Sequence, residues 1–335
     1  MNNAPGKENT PLAQAPTLSV GPSPHMVSRD LSTRRMMADV IIALLPVIVV
    51  SFYIFRWFAI YHLLLAVITC VSVEALSMRL LRRPPTIQDG SAVVTGLIFA
   101  LSLPGTAPWY VNLIGAAAGI FLGKVVFGGL GQNIFNPAMV GRAFVMIAFP
   151  AAMGASGYVS QSTGVDILTS ATPLTALKQM GQGTSLMHLL MGDTNGSLGE
   201  TSALACLVGG FYLCARGTAS WRIPAGVLLA VTIISSAAYL IHPTPHWTPL
   251  HHLSAGALLL GAFFIATDPV TSPVTRKGRW TFGIGIGTLV MLIRYLSGYP
   301  EGVMFSVLLM NSAAPLVDRL TVPLPLGGSP GKRKP

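Results

Sequence analysis

The sequence predicts an all-α polytopic membrane protein, and three observations carry that expectation. Of the 335 residues, 52% are hydrophobic and only 10% are charged, too apolar a balance for a soluble domain of this size. The apolar residues gather into runs, several of them near the 20 or so residues that a helix needs to cross a bilayer. The basic residues behind the formal net charge of +10 stand in small groups between those runs. With no basic face or arm, they point to membrane topology rather than to a nucleic-acid partner.

Residues 1–30 are polar and rich in Pro, Ser and Asn, which predicts a disordered tail without a cleavable signal peptide. The first membrane half, 31–153, divides into apolar runs at 36–55, 57–81, 91–103, 109–127 and 134–153. The third is short for a full span. A polar interval follows at 154–200, and the second half, 201–319, holds runs at 201–215, 223–241, 252–267, 280–297 and 303–317 before a basic tail at 320–335. That makes about ten transmembrane helices, five on each side of the interval. Sorting Lys and Arg by connection tests the count, because cytoplasmic loops hold the excess. With both termini cytoplasmic, groups such as Arg34-Arg35, Arg82-Arg83 and Arg276-Lys277, together with Lys124, fall inside, whereas Arg56, Lys178 and Arg294 fall outside. The 154–200 interval is then on the outer face.

Five spans per half make any repeat an inverted one, with binding sites near the midplane. A weak echo supports repetition. Residues 96–104 resemble 261–269, and the run from Asn136 to Arg142 resembles that from Asn311 to Arg319. Gly115, Gly119 and Gly123, like Gly283, Gly285 and Gly287, read as close helix packing.

Chemistry concentrates in the polar interval. In the stretch from Asp166 to Thr175, Thr172 stands before Pro173, which makes Thr172 an N-cap with proline at the first helical position. Such a start is either a plain capped helix or a seat for a phosphate. Asn133 and Asn136 lie in a glycine-rich turn, read either as a cap or as two amides facing a ligand. At membrane depth, Glu74 and Arg142 mark either an ion pair or an ion pathway, while Asp39 and Asp268 suit the interface. His242, His246, His251 and His252 read as a solvated loop rather than a metal site, and Cys70, Cys206 and Cys214 as small core residues.

Four stretches together resemble a known family. They are Gly131-Gln-Asn-Ile-Phe-Asn-Pro-Ala-Met-Val-Gly-Arg-Ala-Phe144, Ser170-Ala-Thr-Pro-Leu174, Gly196-Ser-Leu-Gly-Glu-Thr-Ser202 and Phe264-Ile-Ala-Thr-Asp-Pro-Val270. The chain resembles the RnfD (RsxD) components of the Rnf ion-translocating electron-transport complexes and the related NqrB component of the sodium-pumping NADH:quinone reductase. The resemblance implies a fold similar to that of urea transporters and covalent FMN on Thr172 through a phosphoester. Asp166, Ser170, Ala171 and Pro173 are its surroundings, with Ser170 where the family usually has Gly. It also implies non-covalent riboflavin at Asn133, Asn136 and Asp268. The implied setting is the bacterial inner membrane. The implied partners are a periplasmic-facing flavoprotein subunit and iron–sulfur membrane subunits, with electron flow between ferredoxin and NAD coupled to Na⁺ or H⁺ movement. A small-solute channel on the same fold is the competing expectation.

Overall fold

The computed structural model describes residues 32–84, 86–153, 172–181, 183–192, 194, 196–200, 202–242, 247–299 and 301–322. The expected N-terminal tail, the first part of the polar interval (154–171) with Asp166, Ser170 and Ala171, His246, and the C-terminal tail beyond residue 322 lie outside them. The described residues are helical, with one isolated bridge between Pro104 and Ser197.

Helix α1, Thr33–Phe55, turns at Arg56, whose φ is 51°, into α2, Trp57–Leu80. The short α3, Ser91–Leu101, stops just before Pro104, where continued helix is disfavoured. Its last carbonyls are taken by the Leu198 and Gly199 N–H groups, which donate to Leu103 O and Leu101 O. Helix α4, Trp109–Ile120, runs on through a π turn at Phe121–Val125. Helix α5, Pro137–Ala148, is started by Asn136, whose side chain accepts from the Ala138 and Met139 N–H groups; a further turn, α6, follows at Pro150–Met153.

Two short helices, α7 at Pro173–Met180 and α8 at Leu186–Met191, precede the second half. That half comprises α9, Ala203–Arg216, and α10, Arg222–Ile241, then α11, Pro249–Ser254, and α12, Leu258–Leu260, with its π turn at Gly261–Ile265. Helices α13, Arg276–Leu296, and α14, Val303–Thr321, complete it.

Among the described residues, α1, α2, α10 and α14 are long and apolar enough to cross a membrane; α3, α4, α5 and α9 are apolar but shorter. The expected eighth span is instead two short pieces, α11 and α12. The polypeptide bends between them at Gly256, whose φ is +73°, a conformation that costs glycine little. Broken helices of this kind survive at membrane depth where protein surrounds them or where they line a cavity.

Packing repeats between the halves. Helix α2 packs on α4 and α4 on α5; at corresponding positions α10 packs on α13 and α13 on α14, while α1 packs on α9 across the halves. The glycines make the closest of these contacts. A Cβ on Gly141 would lie 2.5 Å from Gly115 O, and one on Gly287 2.5 Å from Val227 O. The two asparagines of the sequence echo also meet, Asn136 N donating to Asn311 Oδ1 at 3.2 Å.

Candidate functional site

Helix α7 delivers Thr172. The backbone at Thr172 is extended, with φ −62° and ψ 151°, and its Oγ1 accepts from Thr175 N at 3.2 Å, so it caps a helix with Pro173 in the first turn as the dipeptide requires. The helix is fastened at both ends. Leu174 packs with Leu189, Trp247 and Ala255, and Lys178 Nζ donates to Arg294 O at 3.1 Å, Tyr299 O at 3.0 Å and Ser297 O.

Thr172, Pro173 and Thr175 border a cavity of about 280 Å³. Apolar side chains, Met139, Met146, Leu260 and Phe305 among them, make up much of its wall. Its polar lining includes three charged side chains, Arg142, Glu200 and Glu301. Arg142 of α5 reaches Glu200 Oε1 at 3.7 Å and Glu301 Oε2 at 3.8 Å, both from Nη2, while its Nη1 donates to Ser102 O. Arg294 of α13 is buried behind them, its guanidinium donating to His252 O at 2.6 Å and Ala255 O at 2.8 Å. Burial and the charge of Glu200 push the Glu301 carboxyl up to about 8, against the opposing pull of Arg142 and Arg294.

A second cavity, of about 60 Å³, lies further along α5 toward its start. Asn133, Asn136 and Asp268, named from separate stretches of the sequence, all line it, together with Lys124, Met37 and Phe264. Asn136 Nδ2 donates to Ile265 O at 3.5 Å, and Asp268 accepts from Val270 N and from the Thr271 hydroxyl, each at 3.2 Å. Asn136 faces this smaller cavity and Met139 the larger one, only one turn of α5 apart. The two cavities thus meet neighbouring turns of α5.

The residues fit the two flavins unequally. The larger cavity approaches the range of roughly 300–1,000 Å³ typical of cofactor sites. It also contains an unsatisfied buried acceptor, Glu200 Oε1, which makes no hydrogen bond. It is thus close to cofactor size, with Thr172 at its border and a free acceptor inside. The smaller cavity offers amide donors and acceptors, but its volume is well below that range.

Glu74 and Arg142 each form an ion pair, one of the two readings open for them, in different networks. Glu74 binds Lys124, which the loop count had placed at the cytoplasmic face; Lys124 Nζ donates to both carboxylate oxygens at 2.8 Å and to Ser91 Oγ at 2.6 Å, with both charged side chains fully buried. Asp39 binds Arg216 and Thr218 of the other half. His251 and His252 do not sit in a solvated loop. His251 completes the cap of α11 with Thr248, and His252 is buried, its Nε2 3.2 Å from the Tyr295 hydroxyl. Among the described residues no group of His, Cys, Asp and Glu could hold a metal. Glu200 and Glu301 were not singled out as site residues from the sequence, and Arg294 was read only as an outer-face basic residue. The signal for the two glutamates was rarity, since the whole chain has 11 acidic residues.

The sequence profile described as the NQR2, RnfD, RnfE family matches residues 19–327. Three relatives are similar over nearly the whole length, and each is the D component of its complex. That of the Na(+)-translocating ferredoxin:NAD(+) oxidoreductase complex of Acetobacterium woodii is 43% identical over 91% of this chain and 93% of its own. That of the ion-translocating oxidoreductase complex of Stutzerimonas stutzeri is 42% identical over 88% and 92%, respectively. That of the proton-translocating ferredoxin:NAD(+) oxidoreductase complex of Clostridium ljungdahlii is 40% identical over 92% and 96%.

Proposed function

We propose that this chain, which belongs to the NQR2, RnfD, RnfE family, is the membrane subunit of an ion-translocating ferredoxin and NAD oxidoreductase complex, with FMN esterified to Thr172 and riboflavin in the smaller cavity. The observation that carries the reading is the capped Thr172 at the edge of a cavity of about 280 Å³, one turn of α5 from the cavity of Asn133, Asn136 and Asp268. When bound, the flavins supply the electron-transfer chemistry. The protein's own part is placement. Thr172 fixes the tether, α7 turns its free N–H groups toward the phosphate, and Met139, Met146 and Leu260 keep water from the ring.

The remaining parts of the proposal follow the family. Ten spans in two inverted five-helix halves, similar to a urea transporter, are supported by the recurring helix pairings and the broken α11 and α12. Both termini are cytoplasmic and the Thr172 face is periplasmic, on the inner membrane of a bacterium, as the division of Lys and Arg supports. A periplasmic-facing flavoprotein subunit exchanges electrons at that face, and iron–sulfur membrane subunits serve the other side. The relatives named for Na⁺ and for protons are 43% and 40% identical to this chain, so overall likeness does not select the ion. The test is in-gel flavin fluorescence of the denatured protein, produced in cells that flavinylate the family. A fluorescent wild-type band that Thr172→Ala abolishes supports the proposal, and a dark wild-type band defeats it.

A further inference from the structure

Two carboxylates meet in the larger cavity, and the placement of a flavin does not account for them. Glu200 ends the turn pinned to the last carbonyls of α3, and Gly199 is required there because its Cβ would lie 2.9 Å from Leu101 Cβ and 3.1 Å from Leu101 O. Glu301 belongs to the connection between α13 and α14 and accepts from Ala257 N through Oε1. Both border the cavity and both are drawn to one atom, Arg142 Nη2, which lies 3.7 Å from Glu200 Oε1 and 3.8 Å from Glu301 Oε2. Two ionised carboxylates held this near each other repel, and a proton on one of them relieves the repulsion.

The charges around the pair come from every element packed on it. Arg142 comes from α5 and Arg294 from α13, while Lys178 of α7 and the Tyr299 phenol lie at the edge. Two guanidinium groups facing two ionised carboxylates are neutral together; with one proton on the pair, the group carries one net positive charge. Negative charge added to the cavity therefore favours the protonated pair, and its removal favours the ionised one.

We propose that Glu200 and Glu301 form a proton-holding pair in the outer cavity, which binds one proton from water when negative charge enters the cavity and returns it when the charge leaves. The pairing of the two carboxyl groups rests on their shared contact with Arg142 and their place in one cavity, whereas the identity of the charge, electrons on a tethered flavin, rests on the proposed function. In balance, an electron delivered by an external reductant enters the cavity and a proton from bulk water forms an O–H bond to a carboxylate oxygen. Reoxidation reverses both.

The experiment uses the full chain in nanodiscs and has two arms. In the first, the infrared band of protonated carboxyl groups is followed against pH in the Thr172→Ala chain, which carries no tether. A band lost near pH 8, absent in Glu301→Gln and shifted in Glu200→Gln by a unit or more toward the ordinary range of about 4, supports the pair. A band unchanged in both variants, or none above the ordinary range, overturns it. In the second, the tethered flavin is titrated with dithionite across the same pH range. A bend in midpoint potential against pH in the wild type that Glu301→Gln removes supports the coupling to charge, and a bend of equal size in both overturns it. Loss of in-gel fluorescence with the carboxyl band intact defeats the flavin reading alone; fluorescence without the band defeats the proton pair alone.

Discussion

Lys124 and Glu74 share two hydrogen bonds of 2.8 Å with no solvent access at either side chain, and Ser91 and Thr86 complete the shell around them. Removing one partner strands the other charge, which typically costs about 3–5 kcal/mol, whereas replacing both is often neutral. Lys124→Met is therefore expected to lower the melting temperature in detergent sharply, and the double variant with Glu74→Gln to recover most of the loss. Equal melting of both variants would remove the pair from this account. The sequence showed both charges but not the pairing, because 50 residues separate them and Lys124, near the end of an apolar run, was counted with the cytoplasmic lysines. Glu301 has a consequence for pH. Its carboxyl is raised from 4.5 to about 8 in the fold, so between those values the folded chain holds a proton that the unfolded chain has lost. Stability then falls as pH rises through that interval and levels off above it. Melting measured across the interval should show that slope in the wild type and a shallower one in Glu301→Gln. At the smaller cavity, Asn136→Ala removes both an amide and the cap of α5, worth about 1 kcal/mol. Asp268→Ala leaves that cap intact. Both are expected to lower non-covalent riboflavin content while in-gel fluorescence persists, and loss of the two signals together would contradict separate sites.

Helices α4 and α5 approach each other through glycine. A Cβ on Gly119 would stand 2.7 Å from Pro137 O, and one on Gly123 2.8 Å from Pro137 Cα. Four-residue spacing of small residues in an apolar run was enough to read this contact from the sequence, since only small residues let two backbones come so near. Gly141→Val, on the facing side, meets the Gly115 carbonyl and should destabilise the chain by at least about 1–3 kcal/mol. Melting in detergent checks it, and an unchanged transition would mean that the helices can separate without cost. Thr172 was equally legible, because Thr-Pro determines its own local geometry. The division of the expected eighth run into α11 and α12 was not, because the apolar residues continue across the break and Gly256 alone permits it. The buried histidines were hidden for a similar reason: Pro, Thr and Trp beside them read as a loop, while the partners of His252, Tyr295 and Arg294, come from α13.

Across the whole molecule, α5 joins the parts. It starts at the smaller cavity with Asn136, passes the larger one with Met139, and carries Arg142 to the paired carboxylates. The second half supplies part of the wall of both through Phe264 and Ile265, the last two residues of the π turn. Motifs distant in sequence thus converge because the two halves pack on each other, which explains why composition revealed a membrane protein but not its cavities. The central claim, that Thr172 is the anchor of a flavin, is tested most directly by the mass of the proteolytic peptide containing it, taken from protein made in flavinylating cells. The account predicts a peptide heavier by one FMN less one water, with fragmentation placing the addition on Thr172. A peptide of unmodified mass, or an addition on Thr169, Ser170 or Thr175 instead, would contradict it.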